Sequence, residues 1–332
     1  MPRDFTPNFQ GRSVLITGGL GFIGSNLTRR LVGLGAHVTV LDSLLPQFGG
    51  NLFNIDEYEK RIHINLGDMR DEQGMNALVQ GRDFIFNLAG QVSHLDSMQN
   101  PFADLAINCQ SQLYLLEACR HFNPDVRIIY TNTRQVYGRP QYLPVDEKHP
   151  LDPADINGIH KLAGGWYHIL YQRVYGLRTT SLRLTNTYGP RMRVVDARQT
   201  FLGLWLRQVL SGEPLTIYGD GQQRRDFNYV EDVLTALLWV ASTPQTIGEV
   251  FNLGDSVPVT LLDLARLLIE LNGGGAYQLQ PFPADRQVID IGDYYADFSK
   301  ITHALGWQPR VPLAEGLART LEYYRIHRNH YW

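Results

Sequence analysis

Cysteine is scarce in this sequence. Cys109 and Cys119 are the two among 332 residues. They fall in one predicted helix and match no metal-ligand spacing. Small buried hydrophobic side chains in a reducing compartment are expected, and no metal site. A basic surplus is also missing: 30 Lys and Arg stand against 33 Asp and Glu, a formal net charge of −3. That balance gives no general attraction to nucleic acid or to an anionic membrane. No apolar run is long enough to span a bilayer. The opening Met1-Pro2-Arg3-Asp4-Phe5-Thr6 has no apolar signal core. A soluble cytoplasmic protein is expected. Repeats and low-complexity linkers are absent too. With 44% hydrophobic and 19% charged residues, the chain can bury a sizeable core.

The most informative segment is Thr17-Gly18-Gly19-Leu20-Gly21-Phe22-Ile23-Gly24. An apolar run of strand length enters it, and an amphipathic helical pattern through Leu27, Leu31 and Leu34 leaves it. At this spacing Gly18 permits a tight turn, Gly21 lets backbone approach a pyrophosphate, and Gly24 lets helix and strand pack closely. The helix N-terminus turns its free N–H groups toward the phosphates. The next apolar run ends in Asp42, placed to hydrogen-bond an adenine ribose. With no arginine after it, Asp42 favours NAD over NADP, because a carboxylate repels a 2′-phosphate.

Apolar strand-length runs at 13–17, 37–41, 62–66, 84–88, 126–130 and 179–184 alternate with helical patterns near 22–34, 71–80, 101–122 and 155–175. Such alternation predicts a Rossmann-type doubly wound α/β fold, a parallel sheet with helices on both faces. After Tyr188-Gly189-Pro190 the pattern changes to long helices, short strands and Gly/Pro turns. The expected division is a dinucleotide-binding domain over 1–185, completed by about 219–254. A smaller α/β lobe over 186–218 and 255–332 packs directly on it.

Ligands of open α/β sheets sit beyond the carboxyl ends of the strands. After the third run, Asp68-Met69 is placed to meet the adenine, with Asp68 as a helix N-cap the alternative. After the fourth, Leu88-Ala89-Gly90 lets a cofactor lie close against backbone. Asn157, His160 and Lys161 share one helical face by their spacing. Taken alone, Lys161 reads as a solvated lysine.

Together these segments resemble the extended short-chain dehydrogenase/reductases, specifically the NAD-dependent nucleotide-sugar epimerases and dehydratases. The resemblance rests on Thr17–Gly24, Asn87-Leu88-Ala89-Gly90, Asn108, Thr133 with Val136-Tyr137-Gly138, and Lys161. It continues through Arg183, Asn186-Thr187-Tyr188-Gly189-Pro190, Tyr218-Gly219-Asp220-Gly221 with Arg225-Asp226-Phe227, and Leu305-Gly306-Trp307-Gln308-Pro309. It implies tightly bound NAD, held by Gly18, Gly21, Phe22, Ile23, Gly24, Asp42, Asp68, Met69, Leu88, Ala89, Gly90, Asn108 and Lys161. It also implies a transient keto-sugar. Thr133 would orient the sugar oxygen, and Lys161 would hold the nicotinamide ribose. Arg225 and Arg286 would contact the diphosphate of a nucleotide sugar, with solvated surface arginines as the alternative. Asn186 would bond near the phosphates. Arg191 would meet the diphosphate or an anionic sugar. Uridine is the commonest base in the family. The helices near 101–122 and 155–175 resemble a four-helix dimer interface, so a homodimer is expected.

The chain departs from the pattern where the family carries its catalytic tyrosine, four residues before the lysine. Here that residue is Asn157, which cannot accept a proton at neutral pH. His94 is the first substitute base and His160 the second. For His94 the alternative is a loop histidine that merely hydrogen-bonds substrate or solvent. Arg134 and Gln135 stand where the 4,6-dehydratases carry an Asp-Glu pair. That weakens the dehydratase reading, and with it the decarboxylase one. Gln91-Val92 and Asn100-Pro101 resemble epimerases of CDP- and UDP-sugars. The reading is therefore an NAD-dependent nucleotide-sugar epimerase. The alternatives are a related dehydratase, decarboxylase or oxidoreductase, or a non-catalytic binding protein.

Overall fold

The computed structural model describes residues 4–332, without the side chains of Pro46 and Asp285. Six strands come first: β1 (Ser13–Thr17), β2 (His37–Asp42), β3 (His63–Leu66), β4 (Phe84–Asn87), β5 (Arg127–Thr133) and β6 (Arg178–Leu184). A later strand, β7 (Val250–Asn252), completes a seven-stranded sheet in the order β7-β6-β5-β4-β1-β2-β3. Every pairing in it is parallel.

A parallel sheet is buried on both faces, so its strands must be apolar on both sides. Val14, Leu15 and Ile16 are all fully buried. Alternation along the strand sends Val14 and Ile16 into one core and Leu15 into another. The first core takes α1 (Phe22–Gly33) through Leu27 and Leu31. The second takes α2 (Glu72–Leu78) through Met75, α3 (Ser111–Phe122) through Leu115 and Leu116, and α4 (Ile156–Tyr175) through Tyr171. Helix α5 (Val230–Ala241) returns to the α1 face with Val233 and Leu237. Helices therefore cover both faces.

The remaining strands form two-stranded pairs. Asn186–Tyr188 pairs with Phe227–Tyr229, Leu215–Tyr218 with Tyr277–Gln280, and Arg224–Arg225 with Val259–Thr260. Leu206, Leu215, Leu264 and Leu321 belong to the same core as Val14 and Ile16. One apolar core thus runs from the large sheet into the later residues without a hinge.

Two local features differ from expectation. The segment around His94 is not a loop. His94–Gln99 is a short helix capped by Ser93, whose Oγ accepts from Asp96 N at 3.2 Å. The stretch 101–122 is helical but not uniform: Pro101–Leu105 passes through a π-helical turn at Ala106–Gln110 into α3. Asn108 lies in that turn, a feature that often marks functional sites. Both cysteines are buried and unbridged. No helix among the described residues is long and apolar enough to cross a membrane, and no described cluster of ligand side chains suits a metal ion.

Candidate active site

One cavity runs along the carboxyl edge of the sheet. Gly18, Gly21, Phe22, Ile23, Gly24, Asp42, Asp68, Met69, Leu88, Ala89, Gly90, His94, Thr133, Asn157, Lys161 and Asn186 all line it. The sheet brings them together because each follows or ends a strand, or begins a helix behind one.

The glycine turn forms one end. Gly18 has φ +69°, a conformation that favours glycine. A Cβ on Gly24 would lie 2.1 Å from Gly18 O, so helix and turn meet too closely for any side chain. A Cβ on Gly21 would meet only Gly18 O, at 3.3 Å. Gly21 is the N-cap of α1, and no side chain caps it. The first-turn N–H groups of Phe22, Ile23 and Gly24 therefore have no intrahelical partner. This open, positively poled cradle fits a pyrophosphate.

Asp42, at the end of β2, steadies the turn. Its Oδ2 accepts from Leu20 N at 3.0 Å and its Oδ1 from Leu44 N at 2.8 Å. Burial pushes this carboxyl above its ordinary value, against those hydrogen bonds. Asp68 is not the helix cap. Asp71 caps α2, accepting from Gly74 N at 3.1 Å, while Asp68 pairs with Arg70 at 2.6 Å. The Arg70 guanidinium holds the Asp68 carboxyl below its ordinary value.

Thr17 Oγ1 accepts from Leu88 N at 3.1 Å and Ala89 N at 3.2 Å, fixing the backbone of the middle wall. Asn108 stands behind that wall rather than on it. It brackets Gln91, accepting from its N–H at 3.1 Å and donating to its carbonyl at 3.0 Å. Its place is to position the loop after β4, not to line the cavity.

The far end holds Thr133, Asn157, Lys161 and His94. Burial pushes the Lys161 ammonium down to about 8, against the pull of Asp104. Asn157 Nδ2 donates to Gln91 O at 3.0 Å and to Asp104 Oδ2 at 3.1 Å. His160 faces away from the cavity and pairs through Nδ1 with Asp104 Oδ1 at 2.6 Å. Two residues one position apart on a helix diverge by about 100°. Lys161 therefore reaches the cavity while His160 meets the buried Asp104. The structure does not bring His160 to the site.

His94 has a partner far from it along the chain. Its Nδ1 lies 2.7 Å from Oδ2 of buried Asp155. Gln135 Nε2 is 2.9 Å from His94 Nε2. The ring thus sits between the Asp155 carboxylate and the Gln135 amide. Asp155 also caps α4, accepting from Gly158 N at 2.7 Å. Burial raises its carboxyl, but the His94 ring and the Gly158 N–H together hold it below its ordinary value. An aspartate just ahead of a helical pattern signals a cap. Only tertiary contact joins it to residue 94.

The structure does not bring Arg191, Arg225 and Arg286 to the cavity. Arg191 donates to Asn26 Oδ1 at 2.9 Å and lies over the Tyr323 ring. Arg225 is buried, its guanidinium bonded to the carbonyls of Arg224 and Gly292 and 3.6 Å from Asp290. Arg286 lies over the Tyr218 ring. The cavity's own arginines are Arg70 and Arg134.

A parallel sheet carrying a glycine cradle, an acid at the end of β2 and a polar far end defines a dinucleotide-binding type of α/β protein. The chain belongs to the NAD dependent epimerase/dehydratase family, whose model matches residues 14–254. It is 30% identical over 310 residues to a putative UDP-glucose 4-epimerase of Methanocaldococcus jannaschii, covering 93% of this chain and 97% of that protein. An epimerase of Methanothermobacter thermautotrophicus superposes with a TM-score of 0.91 at 28% identity, covering 98% of this chain and 96% of the other. The UDP-glucose 4-epimerase of Thermotoga maritima, solved with UDP-glucose, gives a TM-score of 0.86 at 31% identity, covering 95% of this chain and 99% of the other.

Proposed function

We propose that the chain is an NAD-dependent nucleotide-sugar epimerase in which a histidine takes the part of the missing tyrosine. The observation that carries this reading is the His94–Asp155 pair, 2.7 Å apart, opening on the cavity that Thr133 and Lys161 line. Bound along the wall, NAD would supply the hydride acceptor for oxidising a sugar carbinol and the hydride for its return. Gly18, Gly21, Gly24 and the first turn of α1 hold its pyrophosphate. Asp42 takes the adenine ribose, Asp68 and Met69 flank the adenine, and Leu88 to Gly90 meet the remainder.

The sugar hydroxyl bonds to Thr133 Oγ1 and displaces the Gln135 amide from His94 Nε2. That nitrogen then takes the hydroxyl proton. Asp155 holds the ring in the accepting tautomer and stabilises the imidazolium that forms. Lys161 holds the nicotinamide ribose, and Asn186 the substrate near its phosphates. The lobe of 186–218 and 255–332 provides the nucleotide's side of the site. The substrate is a nucleotide-diphosphate sugar with uridine as its base, and the working form is a cytoplasmic homodimer.

The test is to incubate purified, NAD-loaded protein with UDP-, CDP-, GDP- and dTDP-sugars and follow the sugar protons by NMR. Inversion at one carbon, without loss of water or carbon dioxide, is expected. Turnover only in Asn157→Tyr, with none in the wild type, makes the natural chain a binding protein.

A further inference from the structure

Arg134 is a cation without an anion. It follows Thr133 directly and lines the cavity at the same end as His94 and Lys161. Among the described residues its side chain makes one hydrogen bond, from Nη2 to the neutral Asn186 Oδ1, at 3.1 Å. Its guanidinium lies over the Tyr294 ring, 5.4 Å from the centroid. No carboxylate oxygen of the described residues comes within 4.0 Å of it. Nε and Nη1 make no hydrogen bond to the described residues. The aspartates that act on it, Asp226, Asp290 and Asp155, do so from beyond ion-pair distance, and burial lowers its pKa from the ordinary value.

Two of the neighbouring carboxylates are already paired, and the third, Asp226, is buried and bonded through Oδ2. Asp155 is paired with His94, and Asp290 with Arg225. Asp226 accepts from Ala296 N at 3.2 Å. Holding a guanidinium at a cavity floor without a counter-charge is unfavourable. Asn186 and Tyr294 nevertheless fix its plane, which leaves the free edge of the fork ready for a planar, two-oxygen anion.

We propose that Arg134 anchors a carboxylate carried by the sugar of the substrate, so that the substrate is a nucleotide uronate rather than a neutral hexose. This rests on the nucleotide-sugar reading above. The position supports it. Arg134 is one residue past Thr133, whose hydroxyl meets the reacting sugar oxygen, and its side chain shares the wall with the His94–Asp155 pair. On the Thr133 side this position faces the sugar ring, and on the Asn186 side it borders the phosphates. The other source of anionic oxygen, the diphosphate, is distinguished by the test.

NAD-loaded protein is titrated by calorimetry with UDP, UDP-glucose and UDP-glucuronate, and by NMR with glucose 1-phosphate and glucuronate 1-phosphate, which carry no base. The expected result is at least about tenfold tighter binding of the uronate in each pair, the worth of a charged hydrogen-bonded contact. Arg134→Gln removes that preference while UDP still binds. Arg134→Lys, which keeps the charge but loses the fork, retains part of it. Thermal unfolding of both variants checks that they fold. Equal affinity within both pairs overturns the assignment and leaves the nucleotide-sugar reading standing. An Arg134→Gln loss as large for UDP as for UDP-glucuronate also overturns it, and assigns Arg134 to the diphosphate. Failure of every ligand, free UDP included, removes both readings.

Discussion

Asn157 Nδ2 donates to Asp104 Oδ2 at 3.1 Å, and that bond ties the residue one turn before Lys161 to a buried carboxylate. Asp104 also takes Asn108 Nδ2 at 3.1 Å and His160 Nδ1 at 2.6 Å. Asn157 is thus part of a hydrogen-bonded brace that holds the loop after β4. In the proposed reaction the proton acceptor comes from elsewhere on the wall.

His94→Ala should therefore lower turnover by roughly 10²–10⁴-fold, the usual worth of a positioned base. Asp155→Asn should lower it less and shift the pH profile, since it orients the ring without touching substrate. Asn157→Ala should lose under about tenfold in rate but about 1–3 kcal/mol of stability, because Asp104 is left short of a donor. Steady-state kinetics and urea unfolding of the three variants check this. Full activity in His94→Ala sinks the assignment.

Gly21→Val should abolish NAD binding in calorimetry and keep the fold. The nearest neighbour of the new Cβ is Gly18 O at 3.3 Å, and the rest of the side chain enters the cradle. Gly24→Ala should instead destabilise the protein, since its Cβ would sit 2.1 Å from the same oxygen. Asp42 should make NAD bind more tightly than NADP. The reverse order refutes that part.

Burial lowers Lys161 from 10.5 to about 8, and this has a consequence for stability. Below pH 8 both folded and unfolded chains hold the proton, and the folded state bears the full desolvation penalty. Between about 8 and 10.5 the unfolded chain binds more protons, so this group's contribution to stability rises with pH. Cofactor-free wild type should gain on Lys161→Met across that window when urea midpoints are compared. A constant difference between the two contradicts it.

Two neighbouring helical segments leave large apolar side chains in solvent: Phe102 is 81% exposed, and Trp166, Leu170 and Val174 are 48%, 51% and 60% exposed. The last three fall at i, i+4 and i+8 along α4, a continuous stripe. A homodimer through this face is expected by light scattering at micromolar concentration. Leu170→Glu should yield a folded monomer. A monomeric wild type refutes it.

The sequence by itself determined the alternation of elements, the parallel sheet and the glycine cradle. These depend on local periodicity and on spacing within a few residues, which the chain states directly. It also raised Asn157 as a departure from the family pattern and His94 as a candidate base. The tertiary structure alone decided which side chains share the cavity. It paired His94 with Asp155, 61 positions away. It turned His160 toward Asp104. It drew Arg225 into contact with Gly292 and Asp290, and left Arg134 facing the site. A charged side chain's partner is fixed by whichever distant segment packs beside it, and nothing in the local pattern carries that information.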